Sequence, residues 1–172
     1  MNNKIIFSLV LFFAINLFAC AQKKKEKATG KEIQWHSYAD IETINAKKKK
    51  KIFVDVYTDW CGWCKKMDAS TMTDPKVIEY MNKKFYAVKL DAESSKIVTY
   101  RGKQMTEREL AARIFKATGY PTTVYLDENE NLLQPLSGYL DAPTLDKVLH
   151  FYGEDKFKSQ SWEQFNSTYV SE

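Results

Sequence analysis

The spacing of apolar and polar residues changes several times along this chain, and each change marks an element. Residues 52–57 form a short, nearly continuous run of β-branched and aromatic side chains, which predicts a strand covered on both faces, with Asp55 as the anomaly inside it. Ahead of it, residues 33–38 predict a short edge strand. Residues 38–51 then predict a helix with Ile41, Ile44 and Ala46 inward, closed by the lysine run 47–51. Cations are favoured at a helix C-terminus and ordinarily face water there. A second helix is expected from Gly62 or Trp63 through Met67 toward Ser70, and Asp74-Pro75 starts a third, with Val77, Ile78 and Met81 on one side. Residues 85–90 alternate as a strand.

Residues 91–104 carry no clear period and are expected to be a loop. Thr106 and Glu109 have the spacing of a capping box and start a helix that ends at Gly119, with Leu110, Ala111, Ile114, Phe115 and Ala117 as its apolar stripe. Pro121 opens a strand over 122–126, and the polar run 127–131 turns it into a hairpin with 132–136. Residues 141–152 give the last main helix, with Leu145, Val148 and Leu149 inward. A short helix from Ser161 is expected in the tail, where Trp162, Phe165 and Tyr169 share a face. Strands alternating with helices, then an antiparallel hairpin and a final helix, predict an α/β fold: a central mixed β-sheet flanked by helices on both faces.

Composition narrows the function more than the fold. At 172 residues, 44% hydrophobic and 28% charged, the chain suits one globular domain. Its net charge of +4 comes from lysines spread over the whole length, without an arginine-rich or aromatic-interleaved face, so nucleic acid is not an expected partner.

The N-terminus reads as an export signal over residues 1–21: Lys4 gives the positive start, residues 5–19 the apolar segment, and Ala19-Cys20-Ala21 a small-residue exit. The apolar segment falls short of the roughly 20 residues that span a bilayer. Two outcomes stay open. The residues 17–20 resemble a lipoprotein signal that would lipidate Cys20 and anchor the chain to a membrane, although Phe18 is bulky for one; ordinary cleavage would instead release a soluble protein. A lysine-rich linker over 22–32 follows, then a domain over 33–153 and an extension over 154–172. An extracytoplasmic, most simply periplasmic, location is expected.

Of three cysteines, the signal takes one and the folded part keeps Cys61 and Cys64. Two cysteines cannot build a disulfide framework, but with two residues between them, where a buried strand gives way to a helix, they are expected to form a redox couple. The helix N-terminus offers unpaired N–H groups and the positive end of the dipole, which favour a Cys61 thiolate, while Cys64 sits one turn in. A zinc site would need four ligands, and His36 and His150 are far away in sequence, so no metal is expected.

The chain resembles the thioredoxin superfamily over roughly 33–152, most of the expected mature domain. Trp60-Cys61-Gly62-Trp63-Cys64 is similar to the family's active-site segment, Asp55 to its buried acid, Lys89 to the partner of that acid, Tyr120-Pro121-Thr122 to its cis-proline loop, and Gly138 to a glycine near the substrate groove. Residues 57–61 and 137–141 are similar to an exported branch that includes the C-terminal domain of DsbD interchange proteins and SoxW-like thioredoxins.

The resemblance implies a thioredoxin fold and thiol–disulfide exchange with partner proteins, without a cofactor. Cys61, Cys64, Asp55 and Lys89 would carry the chemistry, and Trp60, Trp63, Tyr120, Pro121, Thr122 and Gly138 would line the substrate groove. A membrane-embedded or other thiol donor would supply electrons. Trp63 stands where the family usually has proline, and the long stretch before Pro121 is expected to cover part of the groove. The reducing direction is favoured, since Gly62-Trp63 lacks the histidine of oxidising relatives. The competing expectation is a thioredoxin-fold binding or chaperone module without redox turnover.

Overall fold

The computed structural model describes residues 32–170; the leader, Cys20 and most of the linker therefore lie outside the described residues. Five strands form one sheet in the order β1-β3-β2-β6-β7. The strands are β1 (Trp35–Ser37), β2 (Lys51–Tyr57), β3 (Phe85–Asp91), β6 (Thr122–Leu126) and β7 (Leu132–Ser137). β1 and β2 run parallel to β3, whereas β6 is antiparallel to β2 and to β7, giving the expected mixed sheet.

Because successive side chains of a strand point to opposite faces, β2 feeds two cores. Ile52, Val54 and Val56 pack with Tyr38, Ile41, Val88, Leu90, Leu110 and Phe115 on one face. Phe53 packs on the other with Met67, Val77, Ile78, Met81, Tyr125, Leu145 and Leu149. Each fully buried aliphatic or aromatic side chain contributes about 1.5–3 kcal/mol, so the double coverage of β2 fixes the strand beneath the site.

On the Phe53 face lie the helices α2 (Gly62–Ala69), α3 (Pro75–Lys84) and α5 (Ala142–Gly153), with α6 (Trp162–Thr168) packed on α5. The Asp74 carboxylate caps α3 ahead of Pro75, and the capping box of α6 joins Ser161 to Gln164, as the spacing predicts.

Four expectations are corrected. The first helix begins as a 3-10 turn (Tyr38–Asp40), continues as α1 (Ile41–Lys47) and stops there; Asn45, not Ala46, is its second buried position. Asn45 earns that place by donating to the Glu128 carbonyl and accepting from the Lys50 N–H. The lysine run is not all solvated, since Lys51 opens β2 with its side chain buried against Glu128 (2.6 Å) and Asp155 (3.0 Å).

The stretch expected as a loop holds a hairpin, β4 (Ile97–Tyr100) and β5 (Lys103–Thr106), joined by the two-residue turn Arg101-Gly102. Both turn residues have positive φ, as this twist-matched turn requires. Val98 and Tyr100 enter the first core, and the Tyr100 hydroxyl donates to the Glu130 carbonyl in the β6–β7 turn. The hairpin tip is therefore fastened at the amino end of β2 and does not cover the groove.

The helix after Thr106 is short. Its capping box forms, and α4 (Glu107–Glu109) passes into a π-turn (Leu110–Ile114). Lys116, not Gly119, takes the left-handed conformation that ends it, and the Ala117 N–H returns to the Ala111 carbonyl.

Candidate active site

β2 ends at Tyr57, and a turn through Thr58 and Trp60 lifts the chain over the carboxyl edge of the sheet, where the Cys61 N–H donates to the Thr58 carbonyl at 3.1 Å. Cys61 then caps α2: its Sγ accepts the Cys64 N–H at 3.0 Å. Cys61 and Cys64 are joined as a disulfide with Cα atoms 5.3 Å apart. Cys61 is only 4% exposed and Cys64 3%, so both cysteines are buried.

Around them stand the expected aromatic residues. Trp60 and Trp63 are 66% and 56% exposed. Trp60 meets Tyr120 edge-on at 5.9 Å, and Trp63 meets Tyr139 at 5.5 Å. The Tyr120–Pro121 peptide is cis, Pro121 is buried, and the Gly138 N–H donates to the Pro121 carbonyl at 2.8 Å. Gly138 has φ +106°, a backbone that a side chain would strain. The Thr122 hydroxyl bonds the Gly119 carbonyl (2.7 Å) and the Ser137 hydroxyl (3.1 Å). These contacts bring Tyr120, Pro121, Thr122 and Gly138 into one loop pair.

Beneath α2, Asp55 is 2% exposed and lies beside Phe53 on the face that Met67 covers, one turn beyond Cys64. Its Oδ2 accepts from Lys89 Nζ at 2.5 Å across the parallel β2–β3 register; its Oδ1 is buried and has no hydrogen-bond partner among the described residues. Burial pushes the Asp55 carboxyl above the usual carboxylate range, and the opposing pull of Lys89 does not cancel it. Burial lowers the Lys89 pKa, but Asp55 and Asp68 outweigh it and hold Lys89 above its ordinary value.

Three contributors were missed in the sequence. Asp68 of α2 also accepts from Lys89, so the ion group ties the active-site helix to the sheet. Lys66 Nζ stands over the Trp63 ring at 4.7 Å and over the Tyr139 ring at 5.2 Å, and the Tyr139 hydroxyl bonds the Ser70 hydroxyl. The spacing of Trp63 and Lys66 on a helix was the available signal for one half of that contact.

A disulfide-bonded cysteine pair at a helix N-terminus, over a buried acid, has the form of a thiol–disulfide centre. The chain belongs to the thioredoxin-like domain family, whose sequence model matches residues 37–153. It is 28% identical over 101 residues to the thiol:disulfide interchange protein DsbD of Haemophilus ducreyi. That match covers 58% of this chain and 16% of the relative, so the chain spans about a sixth of the length of that protein.

Among solved structures, a putative disulphide-isomerase from Bacteroides thetaiotaomicron is 26% identical with a TM-score of 0.57, covering 75% of this chain and 94% of the other. A DsbH oxidoreductase is 25% identical with a TM-score of 0.55, covering 75% and 87%. The fold and the cysteine pair are those of the thioredoxin-like thiol–disulfide oxidoreductase family. No helix of the described residues is long and apolar enough to cross a membrane.

Proposed function

We propose that this chain is an extracytoplasmic protein-disulfide reductase in which Cys61 is the nucleophile and Cys64 the resolving thiol. In the dithiol form the Cys61 thiolate attacks one sulfur of a client disulfide. A mixed disulfide forms, and the client's other sulfur leaves as a thiolate that takes a proton. Cys64 gives its proton to Asp55 and attacks the Cys61 sulfur, expelling the second client thiolate and closing the internal disulfide. Two electrons pass to the client. A thiol donor at the membrane returns them by the reverse exchange.

The observation that carries this reading is the Asp55 carboxyl, buried on the face that α2 covers, with one oxygen that has no donor among the described residues and its proton affinity raised by burial. A base whose pKa rises toward the working pH is better matched to take a thiol proton. Lys89 holds the other oxygen in place. Trp60, Trp63, Tyr120, Pro121, Thr122 and Gly138 would receive the client segment, and backbone groups of the Pro121 loop would pair with it. Support for export comes from the leader and from likeness to an interchange protein; support for reduction comes from the uncharged Gly62-Trp63 pair.

The wild-type protein should reduce insulin with dithiothreitol, Cys61→Ser should abolish this, and Cys64→Ser should accumulate mixed disulfides visible on non-reducing gels. Equal activity in all three would remove the enzyme and leave a binding module. A Cys61/Cys64 potential near that of the strong oxidant DsbA, about −120 mV, would reverse the direction. The mass of the mature N-terminus would decide between a lipid on Cys20 and a free chain.

A further inference from the structure

The Lys66 ammonium has an unusual position for a surface lysine beside a reactive disulfide. It lies over two aromatic rings, Trp63 from its own helix and Tyr139 from the loop after β7, and within the described residues it forms no ion pair. Each such contact at an exposed site is worth about 0.5–1 kcal/mol, enough to bias the side chain toward one place. Tyr139 is in turn held through its hydroxyl by Ser70. The acid nearest Tyr139 in sequence, Asp141, accepts the Thr144 N–H at the start of α5.

The result is a wall of two rings and a cation on the α2 side of the disulfide. Trp60 and Tyr120, on the Pro121 side, form a second aromatic pair. Lys65 adds a second exposed cation next to Cys64, while the acid of this helix, Asp68, is engaged by Lys89.

We propose that Trp63, Lys66 and Tyr139 form a selectivity wall that favours client segments carrying a carboxylate beside the target disulfide. This rests on the reductase reading above. The rings cover the apolar part of the segment, and Lys66, already ordered, meets the carboxylate without losing further freedom. An ion pair formed as the client buries it from water is less screened than one left on the open surface. The exchange chemistry itself does not change: two electrons still pass from the Cys61/Cys64 dithiol to the client disulfide, and two client thiols leave.

The test uses three otherwise identical disulfide-looped peptides whose residue next to one cysteine is Glu, Gln or Lys, with the reduced full-length protein as electron source. At low salt the Glu peptide should be reduced about fivefold faster than the Lys peptide, with Gln between them, and the gap should close as salt approaches about 0.5 M. Lys66→Gln should bring the ratio toward one, and Lys66→Glu should invert it. Trp63→Ala, which removes one of the two rings that hold Lys66, should slow all three peptides and narrow the Glu-to-Lys ratio.

A wild-type ratio of one, or a ratio unchanged in both Lys66 variants, overturns the wall. The wild-type protein's reaction with the small neutral hydroxyethyl disulfide separates the two claims. Exchange there with no peptide selectivity sinks the wall alone, and no exchange sinks the reductase reading beneath it.

Discussion

β2 carries two buried charges, Lys51 at its first position and Asp55 at its fifth, and they are treated oppositely. Lys51, at the end far from the sulfurs, has carboxylates on both sides, Glu128 at 2.6 Å and Asp155 at 3.0 Å. Burial alone would lower its pKa, but those two partners outweigh it and raise it, so the charged form is the stabilised one. Asp55, on the face that α2 covers, shares one cation with Asp68, and its Oδ1 has no hydrogen-bond partner among the described residues. Its pKa is also raised, but for an acid this means the charged form is the strained one. The buried cation is met by two carboxylates, whereas the buried acid shares its single cation with a second acid, the arrangement expected of the base proposed above.

The sharpest way to break the contrast is in activity. Asp55→Asn should slow resolution of the mixed disulfide by about a hundredfold, read as the lifetime of the covalent complex in stopped-flow quenching. The same change should alter unfolding free energy by less than about 1 kcal/mol or raise it, since an under-compensated buried carboxylate is removed. A large loss of stability with normal resolution would make Asp55 a structural ion after all.

The reciprocal change acts at the other end. Glu128→Gln with Asp155→Asn strands Lys51 as a buried cation and should cost about 3 kcal/mol in urea unfolding, with insulin reduction unaffected. If stability is untouched, the two carboxylates are not what keeps Lys51 charged inside the sheet.

Titration separates them further. A raised folded pKa gives stability that is full below the unfolded value and is lost as pH rises through the folded one. For Asp55 that loss begins above about 3.8, so the stability of wild type relative to Asp55→Asn should fall as pH is raised from 4 toward neutrality. For Lys51 the corresponding loss begins only above about 10.5, so relative to Lys51→Met the wild type should hold its advantage to that pH. Urea midpoints over a pH series read both, and parallel curves would refute the assignment.

The smallest effect is expected at Asp68, whose side chain is 45% exposed. Its charge adds to the upward push on Asp55, so Asp68→Asn should move the pH at which mixed-disulfide resolution accelerates downward, with stability changed by less than about 1 kcal/mol. A shift upward would mean that Asp68 acts mainly by holding Lys89 in place.

Much of this was legible beforehand because it is local. The helix starts at Asp74-Pro75 and Ser161, the hairpin of 122–137 and the apolar run of β2 each follow from neighbours in the chain. The errors arose where local signals were weak or overridden. Arg101-Gly102 is a poor advertisement for a tight turn, yet burial of Val98 and Tyr100 imposes the hairpin. Gly119 looked like a helix stop, but Phe115 and Ala117 must both enter the core, which forces the turn earlier, at Lys116. Lys51 looked solvated because its two partners lie 77 and 104 residues away.

By itself the sequence determined the candidate redox centre, because two cysteines with two residues between them at a strand-to-helix junction are a one-dimensional fact. It also determined which strand lies at the centre, because only a fully covered strand can be apolar on both sides. The tertiary structure alone decided how each buried charge is compensated and which rings and cations frame the disulfide. Those depend on side chains from distant segments meeting in a low-dielectric interior or at a shared rim, and no spacing along the chain encodes such meetings.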